Sequence, residues 1–177
     1  MVVPFQEIID RELFKTILIA ISQFRCKDMD VETFLKNKAI DFERRNKSRT
    51  YLIIDDINNS LLGYFTLSLK ALRFNSSVSK KTIKSIDGFS KEVKAVGITL
   101  IGQFGKDTVL AREIDGGKLF DMCLETVFKV QKIVGGRFVM LECLDIKEIV
   151  SFYKKQGFET LQFNESDKYL QMVRQLS

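Results

Sequence analysis

A long apolar run in the middle of the chain constrains the fold more than any other feature. AVGITLIGQFG, Ala95 to Gly105, carries no charge and reads as a strand covered on both faces. A polar, glycine-bearing stretch follows, KDTVLAREIDGG. After it Leu119, Cys123, Val127, Val130 and Val134 recur at helical spacing, which predicts a helix from about Gly117 to Val134, stopped by Gly135 and Gly136. RFVMLEC is then a further strand. Strand, turn, helix and strand in succession require a sheet with a helix against it, and 177 residues suffice for one core, so a single domain over 1–177 is expected.

The flanking segments extend the same plan. VVPFQEI reads as a short extended start, because Pro4 disfavours helix at Val3. Asp10 is placed to cap a helix carrying Leu13, Phe14, Ile17, Leu18 and Ile21, and Asp30 to cap a second helix over DVETFLKNKAIDFERR. RTYLII and LLGYFTLSLKALRF flank DDINNS, a hairpin signal. NSSVSKKTIKSIDGFSKEVK, rich in Ser and Lys, reads as an inserted loop with room for one short helix. DIKEIVSFYKKQG is a helix for which Asp145 and Glu148 form a capping box and Gly157 the C′ residue, and ETLQF with YLQMVRQL make a closing pair of strands. The expected architecture is α/β (α+β), a mixed central sheet of about six to seven strands flanked by helices.

Composition narrows the chemistry. The chain has no histidine, so Ser-His and Cys-His hydrolases and histidine-containing zinc sites are excluded, no metal site is expected, and proton transfer must run through carboxylates, Tyr, Lys or water. Cys26, Cys123 and Cys143 are widely spaced and set among apolar residues, as buried reduced thiols are, and none is placed for a covalent route. The longest apolar run near the start, ILIAI, is far short of the roughly 20 residues that cross a bilayer, so a cytoplasmic protein with no membrane partner is expected. A net charge of +5 favours polyanionic partners without choosing between coenzyme phosphates and nucleic acid.

Two segments can carry a site. In LAREIDGGKLF, Leu110 to Phe120, a turn opens a helix whose first N–H groups and dipole would suit a phosphate, although paired glycines before a helix are more often only a turn. It is neither a P-loop, lacking Gly-Lys-Ser or Gly-Lys-Thr, nor a Rossmann turn, lacking the spaced glycines. In the second segment, SFYKKQGFE, Tyr153 lies on the apolar side of its helix, where a plain core aromatic is the simpler reading.

Together these segments resemble the GNAT superfamily of acyl-CoA-dependent N-acetyltransferases. SFYKKQGFE is similar to its C-terminal signature, a helix ending in Phe-Tyr before Gly-Phe. LIGQFGKDTVLAREIDGGKLFDMCL is similar to its coenzyme-binding strand, turn and helix. The order and spacing of elements agree from about Tyr51 to Val173. The resemblance implies that Phe104, Gly105 and Lys106 end the strand whose backbone pairs with the pantetheine arm. The pyrophosphate turn would comprise Ala111, Arg112, Glu113, Ile114, Asp115 and Gly116, with Gly117 opening the helix. Of the superfamily's usual pattern (Arg or Gln, two variable residues, Gly, one variable residue, Gly or Ala) only Gly116 survives. Ile114 replaces a glycine, Ala111 replaces the basic or amide residue, and Asp115 brings a carboxylate to a phosphate site.

The resemblance further implies that Tyr153 is the general acid toward the departing thiolate, with Glu142, near the end of RFVMLEC, the first candidate for the base and a structural strand-end role its even rival. The expected activity is transfer of an acetyl group from acetyl-CoA, as co-substrate, to a primary amine by direct attack in a ternary complex. The acceptor is a small amine, a peptide or protein amine, or an aminoacyl-tRNA as in toxin-type members, the one way nucleic acid would enter as a partner; such a member would also have an antitoxin. A homodimer is compatible with open sheet edges. The alternative is a non-catalytic GNAT-fold binding module with impaired coenzyme binding. Lys80, Lys81 and Lys84 in the inserted loop face either solvent or a polyanionic acceptor.

Overall fold

A computed structural model describes residues 1–9 and 14–176. Asp10, the expected cap, and Leu13, expected in the apolar set of the same helix, lie outside the described residues. The elements in chain order are β1 (Val2–Pro4), α1 (Gln6–Ile9), α2 (Phe14–Gln23), α3 (Met29–Asn37), α4 (Ala39–Arg44), β2 (Arg49–Ile54), β3 (Leu61–Arg73), α5 (Lys80–Asp87), β4 (Ala95–Lys106), α6 (Gly116–Val134), β5 (Phe138–Cys143), α7 (Lys147–Lys155), β6 (Glu159–Asn164) and β7 (Tyr169–Gln175). The sheet has seven strands in the order β1-β2-β3-β4-β5-β7-β6. It is mixed: β4 and β5 run parallel, joined through α6, while β1–β2, β2–β3, β5–β7 and β6–β7 are antiparallel.

The chain divides into two compact units, residues 1–68 with 102–123 and residues 69–101 with 124–177. In the first, Phe5, Ile21, Phe24, Leu35, Leu52 and Tyr64 form the core, each nearly or fully removed from water. Burial of one such side chain stabilises by about 1.5–3 kcal/mol. Phe24 meets Tyr64 edge to face at 5.7 Å, and the Tyr64 hydroxyl donates to the Val31 carbonyl at 2.5 Å, so the largest ring in this core keeps its polar end satisfied. In the second, Leu72, Ile98, Met140 and Val173 are the centre, with Phe74, Leu100, Phe138 and Leu161 packed around them. No helix among the described residues is long and apolar enough to cross a membrane.

Several local expectations need correction. The cap of α3 is Asp28, whose Oδ1 accepts from the Asp30 and Val31 N–H groups, so Asp30 is inside the helix. The single helix expected there divides into α3 and α4 at Lys38. The Asp145–Glu148 capping box does not form: Ile146 is the N-cap residue, extended at φ −112° and ψ 127°, with no side-chain hydrogen bond to the helix. The inner stripe of α6 ends before Val134, which is 66% exposed. Cys123 and Cys143 are buried, but Cys26 is only partly so.

Candidate functional site

β4 supplies the frame of the first site segment. Its parallel pairing with β5 covers Thr99–Ile101 opposite Val139–Leu141, and β4 then continues through Gly102–Lys106. This end of β4 lies close against β3. A Cβ on Gly63 would stand 2.6 Å from the Gly105 carbonyl oxygen, and one on Gly105 would stand 2.7 Å from Val31 and 2.9 Å from Tyr64. Phe104 packs edge to face on Phe120 of α6 at 4.9 Å, tying the strand to the helix that follows it.

Asp107, the residue after β4, fixes the path of the turn. It is 1% exposed, and its carboxylate accepts from the N–H groups of Arg25 (2.9 Å), Val109 (2.8 Å) and Leu110 (2.7 Å). Three backbone donors replace the solvation that burial removes. The Lys106 ammonium donates to the Ile114 carbonyl inside the turn and lies 3.5 Å from that of Arg112. The turn closes with the Ile114 N–H donating to the Ala111 carbonyl at 3.0 Å, and Ala111 is fully buried beneath it.

Asp115 then acts as a capping residue. Its Oδ1 accepts from the Gly117 N–H at 2.6 Å, placing a carboxylate of the chain itself at the α6 N-terminus, where the helix dipole favours an anion. The ion pair in the turn, Arg112 with Glu113 at 3.6 Å, is highly exposed and self-compensating.

Tyr153 sits half-buried in the last turn of α7. Its ring lies 5.1 Å from Phe152 and 6.2 Å from the buried Phe158. The helix end is closed by a Schellman arrangement: the Phe158 N–H donates to the Tyr153 carbonyl at 3.1 Å and the Gly157 N–H to that of Lys154 at 3.0 Å, with Gly157 at φ 79° as the spacing predicts. Arg174 donates to the Gln156 carbonyl at 2.7 Å and lies over the Phe128 ring at 5.8 Å. The Gly-Phe signature thus has a mechanical meaning, since it fixes the backbone on which Tyr153 is mounted.

Glu142 stands one residue past the stretch of β5 paired with β4, and is itself paired with Gln171 of β7. The Lys70 ammonium of β3 donates to both its carboxylate oxygens at 2.7 and 2.6 Å, and the Gln171 amide of β7 donates to one of them at 2.7 Å. Gln171 is held in turn by Gln162, which donates to its side-chain oxygen at 2.6 Å and to the Arg73 carbonyl at 2.7 Å. Four strands of the second unit therefore contribute to one polar chain, and Glu142 is neither a free strand-end carboxylate nor a helix cap.

The thiols are unsuited to nucleophilic work. Burial pushes Cys123 far above the ordinary thiol range, and burial followed by the nearby Asp145 charge pushes Cys143 up to about 11, so both are thiols at neutral pH. Among the described residues no group of three or more Cys, Asp or Glu side chains is placed to hold a metal ion.

Comparison with solved structures gives this fold a precedent. The chain is similar to AtaT complexed with acetyl-methionyl-tRNAfMet, at 21% identity over 96% of this chain and 92% of that one, TM-score 0.70. It is similar to AtaTR bound with AcCoA at 20% identity over 97% and 91%, TM-score 0.68. A tyrosine-to-phenylalanine mutant of KacT matches at 23% identity over 85% of each chain, TM-score 0.66. The fold is GNAT-like. No family model matches the sequence, and no curated protein matches it.

Within this GNAT-like frame the sequence suggests the turn at 111–116, with Gly117 opening the helix, and Tyr153 on its helix, but it does not point to Asp107, Lys70 or Gln171. An Asp directly after a strand and before a turn was a usable signal for Asp107. Nothing local points to Lys70, which is 72 residues from Glu142.

Proposed function

We propose that the chain is an acetyl-CoA-dependent N-acetyltransferase that works as one catalytic domain and transfers acetyl directly to a primary amine. The observation that carries this reading is the strand β4, which in a GNAT-like sheet leaves its pairing with β5 at Ile101 and runs on to Lys106. A strand edge of this kind suits the amide-bearing pantetheine arm by strand addition, along Phe104, Gly105 and Lys106. The turn Ala111–Gly116, with Gly117 after it, would take the pyrophosphate, using backbone N–H groups at the start of α6.

In the proposed reaction the neutral amine attacks the thioester carbonyl, a backbone N–H at the end of β4 steadies the oxyanion, and the carbon–sulfur bond breaks as the Tyr153 hydroxyl protonates the departing thiolate. Glu142 receives the proton of the incoming amine. Its pairing with Lys70 and Gln171 means that it is oriented before the acceptor arrives, and that the acceptor ammonium would compete with a cation already present.

Aminoacyl-tRNA is the acceptor favoured by the likeness to a complex containing acetyl-methionyl-tRNAfMet and by the net charge of +5. On that reading an antitoxin is the expected protein partner, in keeping with the AtaT–AtaR complexes among the similar structures. A homodimer and a cytoplasmic location belong to the same proposal. The competing reading, a non-catalytic module, is favoured by one observation, the Asp115 carboxylate on the Gly117 N–H.

Calorimetric titration with acetyl-CoA and a thiol-release assay over small amines, peptides and aminoacyl-tRNA decide between them. Binding and turnover support the enzyme; absence of binding at millimolar coenzyme supports the module. Tyr153→Phe is expected to lower kcat at least tenfold with coenzyme affinity unchanged, and an unchanged rate removes Tyr153 from the acid role.

A further inference from the structure

Where β5 begins and β7 ends, the second unit carries a groove of about 490 Å³ that the proposed reaction does not use. Every residue lining it belongs to that unit. α5 forms one wall: its buried Ile83 and Ile86 turn it so that Lys81, Thr82 and Ser85 lie along the groove. Phe138, the first residue of β5, and Val173 of β7 join Ile86 as the apolar part of the lining. Glu142 lies four residues further along β5, about 13 Å at the spacing of a strand, so the groove is separate from the proposed base.

Its charges suit an anion. The Arg174 guanidinium is held in place, donating to the Gln156 carbonyl at 2.7 Å and lying over the Phe128 ring at 5.8 Å. Its remaining N–H groups have no protein acceptor among the described residues. Gly157, which φ 79° reserves for glycine, leaves that side open, since a Cβ there would stand 3.5 Å from the Arg174 Nε. Lys81 forms no ion pair among the described residues, whereas Lys80 before it is paired with Glu92 at 2.8 Å. Arg137 adds a further cation beside α5, its Nε donating to the Ser85 carbonyl at 3.3 Å. Against these stands one lining carboxylate, Glu159. A guanidinium fork and an ammonium together match a phosphate monoester, which accepts a bidentate bond from Arg and a point charge from Lys. The volume lies in the range of about 300–1,000 Å³ usual for small-molecule sites, so the groove has room for more than a bare phosphate.

We propose that this groove is a binding site for a free nucleoside monophosphate. Arg174 and Lys81 take the phosphate, with the Thr82 and Ser85 hydroxyls as further donors. The base lies against Phe138, Ile86 and Val173, and Glu159 accepts from the sugar hydroxyls, which gives the one carboxylate of the lining a partner. The inference is independent of the acetyltransferase reading, because none of these residues belongs to the proposed coenzyme segments or to the proposed acid and base.

The test is calorimetric titration of the full chain with the four ribonucleoside 5′-monophosphates, the matching nucleosides and inorganic phosphate. Excess coenzyme A is present throughout, so that an adenine nucleotide cannot report on a coenzyme site. At least one nucleotide is expected to bind with a Kd below about 1 mM, with its nucleoside and inorganic phosphate each about tenfold weaker or more. Lys81→Ala and Arg174→Gln are each expected to weaken that nucleotide about tenfold, the loss of one charge-assisted contact, while Lys84→Ala, on α5 outside the groove, leaves it unchanged. Lys81 is exposed, so its variant keeps the fold and decides the outcome even where Arg174→Gln unfolds. Absence of nucleotide binding, or binding that Lys81→Ala leaves intact, overturns the proposal. Tighter binding by a 5′-phosphorylated RNA oligonucleotide, lost in the Lys81 variant, would assign the groove to nucleic acid and overturn it as well.

Discussion

At the scale of single residues, Asp115 is the strongest local argument against tight coenzyme binding, and the structure explains how the fold tolerates it. The carboxylate is the α6 cap, bonded to the Gly117 N–H at 2.6 Å, so the helix gains from the charge that a pyrophosphate would meet as a repulsion. Asn caps a helix about as well as Asp and carries no charge. Asp115→Asn is therefore expected to leave the melting temperature nearly unchanged and to tighten acetyl-CoA binding about fivefold at low salt, the effect of removing one partly screened charge near the phosphates. Calorimetry on the two proteins checks this, and equal or weaker binding by the variant would place the pyrophosphate away from the α6 N-terminus. Legibility in sequence divides at the same scale. Asp115, Ile114 and Tyr153 could be singled out because each belongs to a contiguous motif, whereas the partners of Glu142 come from β3 and β7, and the pairing that unites them is a property of the folded sheet.

At the scale of elements, the strands and helices were legible and their ends were less so. The apolar run of β4, the hairpin about DDINNS and the glycines after α6 carry their own periodicity or turn chemistry, and each occurs where the sequence places it. The starts of α3 and α7 were misread because the path of the chain entering each helix decides which residue meets its first N–H groups. The Cys26 N–H donates to Glu32 and the Arg25 N–H to Asp107, which sets the chain entering α3 so that Asp28, and not Asp30, meets the first free N–H groups. Before α7 the chain stays extended through Ile146, leaving Asp145 too far back to cap. The junction of β3 and β4 gives a prediction of its own. A methyl group at Gly63 would press on a backbone oxygen of Gly105 at 2.6 Å, which no side-chain rotation relieves. Gly63→Ala is expected to cost about 1–3 kcal/mol in denaturant unfolding and to weaken coenzyme binding as well, because the displaced backbone belongs to the strand end proposed for pantetheine. Wild-type stability in the variant would show that the two strands part easily at this point.

At the scale of the whole molecule, the remaining question is which acceptor the charge distribution favours. Acidic residues are interleaved with the basic ones, so a net charge of +5 comes from an excess spread along the chain and not from one basic block. The fold is common to the toxin structures that it matches, but at 16–23% identity fold alone does not transmit a substrate. Ionic strength separates the acceptor classes. An aminoacyl-tRNA must be held through its phosphates, and neutralising about three of them makes affinity fall roughly fortyfold between 50 and 200 mM salt. A small amine or a neutral peptide releases almost no counterions and would show nearly flat salt dependence. The expected result is a KM for aminoacyl-tRNA that rises steeply with salt while kcat stays constant, since the chemistry proposed at Tyr153 and Glu142 is local and phosphate contacts would act only in binding. A flat KM with efficient turnover of a small amine would remove nucleic acid from the mechanism.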